Sequence, residues 1–252
     1  MTVMTAVLVF VLGCCIGSFC NVCVYRIPRK ESIVWGRSHC TACGQTLQNR
    51  DLIPLVSWAW LRGRCRGCGA PISPRYPAVE LAGGLLFIAS WGVFGLSANA
   101  VITAAFLSVL LVAALIDFDT MEIPSGAVLA VFVLSAVRAV MARGAGLTDQ
   151  LIGCAAAGLP LLVIALISRG GMGLGDGKLM AAAGCLLGWK EGLLALLLGC
   201  VIGAAAALLL VAAGRKSMKS AIPLGPFLAA GCAVAALWGG PLIRTYWGLF
   251  LR

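Results

Sequence analysis

Gly171-Met-Gly-Leu-Gly-Asp-Gly-Lys178 lies between two apolar runs, roughly Leu151–Ile167 and Leu179–Gly188. It sets an acid, Asp176, where the flanking residues leave little water. Ionisable groups inside membrane segments are rare and mark functional positions. Glycines let the backbone turn tightly and let another chain approach closely. A glycine-rich stretch alone is a weak signal. It gains weight if a second acid meets Asp176 at the same depth.

The rest of the chain supplies the membrane. Of 252 residues 61% are hydrophobic and 11% charged, and the mean hydropathy is +1.02. That composition belongs to a polytopic membrane protein and excludes an ordinary soluble domain. Eight apolar runs stand out, roughly Val3–Tyr25, Ala78–Phe94, Ala98–Ile116, Gly126–Met141, Leu151–Ile167, Leu179–Gly188, Gly192–Ala213 and Ile222–Trp238. The sixth is short of the roughly 20 residues a span needs. It must be extended by part of the glycine stretch or lie deep beside it. Val3–Tyr25 carries no charged start or small-residue cleavage site, so it reads as a retained helix.

The formal net charge is +10, but the basic residues cluster in one loop and in short connections. This predicts topology and not a nucleic-acid partner. With Arg26–Tyr76 on the cytoplasmic side, the outer side keeps only Arg138, Arg143, Lys190, Arg244 and Arg252 of the 19 basic residues. Both chain ends then fall outside.

With only 9 acids, each can be weighed. Asp149 and Glu191 fall in outer connections, and Glu31 and Asp51 lie among arginines of the cysteine loop. Glu80 opens the second run, where an acid favours a helix N-terminus. Asp117, Asp119, Glu122 and Asp176 remain. Asp117 closes Leu110-Leu-Val-Ala-Ala-Leu-Ile116, ahead of Ile123-Pro124, and shares the cytoplasmic membrane boundary with Asp176. Asp119 points elsewhere on a helix, and Glu122 reads as a solvated loop acid. Two facing carboxylates share a proton. By spacing alone the pair suits either an aspartic protease, with one base and one acid, or a proton or cation pathway.

Cys40-Thr-Ala-Cys43 and Cys65-Arg-Gly-Cys68 form C-x2-C-x21-C-x2-C, spacing suited to tetrahedral Zn²⁺ held by four thiolates. Gly44 and Gly69 suit the turns. Redox-active or unmetallated thiols are the alternative, and a cytoplasmic loop argues against two disulfides. Four cysteine ligands close the metal, so the site is structural. The other eight cysteines lie in or beside apolar runs, where Cys behaves as a small hydrophobe. His39 is the only histidine, which argues strongly against a His-based zinc protease or a Ser-His-Asp triad.

Several ordered motifs run nearly end to end. They are Gly17-Ser-Phe-Cys-Asn21 with Tyr25-Arg-Ile-Pro28, the two cysteine pairs, Ile72-Ser-Pro-Arg-Tyr-Pro-Ala-Val-Glu80, Asp117-Phe-Asp-Thr-Met-Glu-Ile-Pro124, Gly171 to Leu179, and Ile222-Pro-Leu-Gly-Pro-Phe227. In these the chain resembles the bacterial type IV prepilin peptidases (leader peptidase and N-methyltransferase), relatives of the GxGD intramembrane aspartic proteases. The resemblance implies catalytic acids at Asp117 and Asp176, with Gly173, Gly175 and Lys178 as motif support. Family members commonly carry Asp after Ile/Leu-Pro, whereas this chain has Ser125, so that position is not assigned. The resemblance further implies cleavage of the basic leader of type IV prepilins and pseudopilins, after a Gly, at the cytoplasmic face. Methylation of the new N-terminus with S-adenosylmethionine would follow, with Gly17, Asn21 and Glu80 as possible contributors to substrate or cofactor binding.

The expected architecture is therefore all-α, with about eight transmembrane helices. Residues 1–25 form the first, 26–77 a cytoplasmic four-cysteine zinc loop, and 78–252 the protease core with Gly173-Leu-Gly-Asp176. The glycine stretch is expected to offer room for an extended substrate backbone. The rival reading is a proton- or ion-coupled transporter using Asp117 and Asp176.

Overall fold

The computed structural model describes residues 2–144, 146–168, 172–214 and 222–250. Gly171 and the basic connection Arg215–Ser220 lie outside the described residues. The helices are α1 (Val3–Arg26), α2 (Val56–Trp60), α3 (Arg75–Phe94), α4 (Ala98–Thr120), α5 (Ser125–Met141), α6 (Leu147–Ile167), α7 (Leu174–Leu187), α8 (Trp189–Ala212) and α9 (Gly225–Phe250). A short 3-10 turn, Asn49–Leu52, precedes α2. No strand occurs among the described residues, and pairing is limited to two isolated bridges in the cysteine loop. An all-α, multi-pass membrane protein is what the composition predicts.

The count of eight spans is not established. An apolar helix stands at each of the eight expected positions, but six (α1, α3, α4, α6, α8 and α9) are long and apolar enough to cross a membrane. Helix α5 has 17 residues and α7 has 14, short of the roughly 20 that the hydrocarbon core requires. As expected for the sixth run, α7 is extended into the glycine stretch and starts at Leu174.

The chain divides into two compact units, Met1–Ala104 and Ala105–Arg252. In the first, α1 lies against α3 at backbone distance. A Cβ on Gly13 would stand 2.7 Å from the Gly83 carbonyl oxygen, and one on Gly17 2.7 Å from that of Val79. Lipid supplies no hydrophobic drive between helices, so close packing across small residues holds such a pair.

The second unit packs α6 on α7 and α8 on α9 by the same device. A Cβ on Gly184 would run into the Gly153 carbonyl oxygen and come within 2.7 Å of the Ala157 Cβ. A Cβ on Gly199 would lie 2.9 Å from Leu228 Cα. Leu179, Met180, Ala183, Ala195, Leu228 and Cys232 are fully buried. Helix α7 is thus the hub of this unit, and the acid it carries is held by packed neighbours.

Candidate active site

Asp117 sits in the last turn of α4, whose preceding residues Ala113 and Ile116 are buried. The helix stops three residues later. Met121 adopts a left-handed backbone (φ 57°), and its N–H closes on the Asp117 carbonyl at 2.8 Å. Asp117 is 5% exposed, whereas Asp119 and Glu122 are exposed.

Asp176 enters from the first turn of α7, 8% exposed, within electrostatic reach of Asp117. The structure thus brings together the two acids that the census left as a pair. It leaves Asp119, Glu122 and Lys178 on exposed positions.

The two carboxyl groups are not equivalent. Gly225, the first residue of α9, donates its N–H to Asp117 Oδ2 at 2.9 Å. A helix N-terminus presents unpaired N–H groups and a partial positive charge, which favour an anion. Asp176 Oδ1 is buried and accepts no hydrogen bond from the described residues. An ionised carboxylate in such a place would forfeit its solvation without compensation. Asp117 thus has a donor for a negative charge that Asp176 Oδ1 lacks among the described residues. Sequence reasoning missed the part played by Gly225, although Ile222-Pro-Leu-Gly-Pro-Phe227 drew notice. A Gly-Pro pair opening an apolar run is the signal that could have found it, since Pro suits the first helical turn.

The motif glycines correct an expectation. Gly175 faces Ile123, whose Cβ would lie 3.0 Å from an added Cβ, and Gly177 faces Leu162 Cδ2 at 2.7 Å. Both glycines are places where neighbours already press in. They do not provide room for a substrate backbone. Gly173 is exposed as the N-cap of α7, with Asp176 Oδ2 at 3.6 Å and Gly175 N at 3.9 Å the described atoms near its missing side chain.

The cysteine loop is built as two matched knuckles. Cys40 N–H bonds the Gln45 carbonyl at 2.9 Å and Gly44 N–H the Cys40 carbonyl at 2.8 Å. In the second knuckle, Cys65 N–H bonds Ala70 and Gly69 N–H bonds Cys65, at 2.8 and 2.9 Å. Gly44 and Gly69 share φ 72°, a conformation that favours glycine. The Sγ atoms of Cys40, Cys43, Cys65 and Cys68 all lie within 4.8 Å of one another, with Cys40 and Cys68 3.9 Å apart. Tetrahedral Zn–S bonds of about 2.3 Å require S–S separations of about 3.8 Å, so the cluster fits a metal ion. The N–H groups of Cys43 and Ala42 pull the Cys40 thiol down, whereas Cys68, despite the Ala70 N–H, is pushed up by hydrogen bonds with the neighbouring thiols.

The remaining candidates have structural partners. Asn21 Nδ2 donates to the Tyr76 carbonyl at 3.1 Å. Glu80 lies in the second turn of α3, since that helix starts at Arg75, so it does not cap its own helix. Its Oε2 accepts the Leu55 N–H at 2.8 Å, and Leu55 is the N-cap of α2. With Gly17 against Val79, each of the three has a structural partner within its own unit.

Residues 11–94 match the family model of the bacterial peptidase A24 N-terminal domain, and residues 104–208 that of the type IV leader peptidase family. The chain is 37% identical over 239 residues to a prepilin leader peptidase/N-methyltransferase of Bacillus subtilis, covering 95% of this chain and 96% of the relative. A protein of the same name from Aeromonas hydrophila is 34% identical over 281 residues, 97% and 94% of the two chains. Another from Myxococcus xanthus is 39% identical over 221 residues, 85% and 66%. No solved structure matches the chain significantly.

Proposed function

The chain belongs to the type IV leader peptidase family, and from that premise we propose that it is a membrane-embedded aspartic endopeptidase acting on prepilins or pseudopilins. The observation that carries this reading is the buried pair Asp117 and Asp176, in which Asp117 Oδ2 receives a hydrogen bond and Asp176 Oδ1 receives none from the described residues. That asymmetry supports a base and an acid within one site. Asp117, held anionic by Gly225 N–H, takes a proton from water as the water oxygen attacks the scissile carbonyl carbon. Asp176 gives its proton to the carbonyl oxygen. On collapse the C–N bond breaks. The leaving amine takes the proton from Asp117, and Asp176 recovers one from the tetrahedral hydroxyl. A transporter finds no support in these observations.

The positive-inside bias supports a cytoplasmic-membrane location with the acids and the cysteine loop on the cytoplasmic face. The substrate's apolar helix then lies in the bilayer and its basic leader stays in the cytoplasm. Cys40, Cys43, Cys65 and Cys68 hold zinc, which supplies folding free energy to a loop with little core. The relatives' shared name supports N-methylation of the new N-terminus with S-adenosylmethionine as a second activity.

The test is reconstitution of the purified chain with a prepilin in proteoliposomes, followed by mass spectrometry. The expected product lacks its leader, and it gains a methyl group only when S-adenosylmethionine is added. An intact prepilin would remove the peptidase reading. A cleaved but unmethylated product would remove only the second activity.

A further inference from the structure

The segment between α1 and α3 exposes two apolar tips. One is Ile33-Val34-Trp35, with Trp35 81% exposed; the other is the face of α2 bearing Val56 and Trp60, with Trp60 also 81% exposed. Residues four apart lie on one side of a helix, so Val56 and Trp60 form a single face. Each tip is tied by a charged side chain to the end of a span.

Arg26, in the last turn of α1, is 8% exposed. Its Nη1 donates to the carbonyls of Ser32 (2.9 Å) and Trp35 (3.0 Å), and its Nη2 to those of Gly36 (3.2 Å) and Arg37 (3.3 Å). Ser32 Oγ accepts the N–H groups of Val34 and Trp35 at 3.3 and 3.0 Å. The first tip is therefore folded back on the end of α1 with the Val34 and Trp35 N–H groups and the Trp35 carbonyl paired, which lowers the cost of leaving water. The second tip is tied through Glu80 of α3, which accepts the Leu55 N–H at the start of α2.

These tethers fix a depth. Helix α1 has 24 residues, about 36 Å at 1.5 Å per residue, against a hydrocarbon core of about 30 Å. Its last turn thus stands in the headgroup layer, and the Arg26-bound tip stands with it. Glu80 is in the second turn of α3, which holds the start of α2 at the same boundary. Trp is enriched at that boundary, where an amphipathic ring suits both phases. Residues 26–77 carry nine basic residues against two acids, Glu31 and Asp51. Asp51 is already paired with Arg66 at 2.8 Å. Arg29, Lys30 and Arg37 border the first tip, and Arg62 the second, all exposed.

We propose that both tips insert into the headgroup–acyl boundary of the adjoining leaflet, with anionic phospholipid as the partner, so that the zinc knuckles ride on the bilayer surface. The proposal rests on α1 and α3 spanning the membrane and is independent of the peptidase reading; a prepilin-cleavage assay reports on that reading separately.

The experiment reconstitutes the full chain in phosphatidylethanolamine–phosphatidylglycerol vesicles containing phosphatidylcholine brominated close to the headgroup. Wild type is compared with Trp35→Phe and Trp60→Phe, each checked for retained zinc. The emission missing from each variant must be the part that bromine quenches and that aqueous iodide leaves alone. Emission at Trp35 and Trp60 that iodide quenches and bromine ignores overturns the proposal. In a second measurement, p-benzoylphenylalanine is placed at position 35 or 60 and irradiated in the same vesicles. Lipid adducts support the proposal. Adducts to another protein chain, or no adduct, overturn it, the former assigning the tips to a protein partner.

Discussion

Replacing Gly225 with Ala tests the asymmetry of the acid pair. The added Cβ would lie 2.7 Å from Asp117 Oδ2, 3.0 Å from its Cγ and 3.1 Å from its Cβ. Non-bonded carbons want about 3.5–4.0 Å, so the carboxylate and the α9 terminus must separate by roughly 0.5–1 Å. That lengthens the 2.9 Å bond from Gly225 N–H beyond useful range. A hydrogen bond to a charged group is worth about 1.5–3 kcal/mol. With tenfold in rate for every ~1.4 kcal/mol, the loss is about 10- to 100-fold in kcat. A misplacement of this size at a reacting group also costs on the order of 100-fold. The assay is prepilin cleavage in proteoliposomes over a substrate series, so that kcat and KM separate. KM should change little, because Gly225 is assigned to the carboxylate and not to the substrate. A variant that folds, unfolds at the wild-type temperature and cleaves with unchanged kcat would refute the role given to the Gly225 amide.

Four further substitutions probe other contacts. Cys65→Ser removes one of four clustered thiolates, so zinc measured by inductively coupled plasma spectrometry should fall well below one per chain while the membrane helices persist. Gly184→Val drives a side chain into the Gly153 carbonyl and the Ala157 Cβ. Overpacking of this kind costs about 1–3 kcal/mol, so thermal unfolding in detergent should occur several degrees lower. Gly92→Ala, in the same assay, meets nothing within 4 Å and should leave unfolding unchanged or later. Arg26→Gln strips donors from four carbonyls, so amide exchange over residues 32–37 should accelerate while that of α1 stays slow.

The parts of this protein visible in its sequence are those set by local composition. Apolar runs of about 20 residues become helices because lipid leaves the backbone no other partner. The paired Cys-x2-Cys-Gly turns become knuckles because each is closed by hydrogen bonds within a few residues. Asp117 and Asp176 could be singled out because acids are few and both fall at span ends. What escaped notice depends on contacts between distant segments. Gly225 comes 108 residues after the carboxylate it serves. Glu80 looked like the cap of its own helix, yet it caps α2, a five-residue helix that no apolar run announces. Arg26 read as one more basic residue at a membrane boundary, while its guanidinium organises the loop that follows. Gly175 and Gly177 looked like open backbone because the sequence does not show Ile123 and Leu162 facing them.

The central claim is that Asp117 and Asp176 together perform peptide hydrolysis. The most direct measurement is prepilin cleavage by Asp117→Asn, Asp176→Asn and Asp119→Asn, each purified at wild-type zinc content and unfolding temperature. Asn keeps the shape of Asp and removes its titration. The account predicts that the first two cleave no prepilin while Asp119→Asn cleaves normally. Normal cleavage by either Asp117→Asn or Asp176→Asn would contradict it.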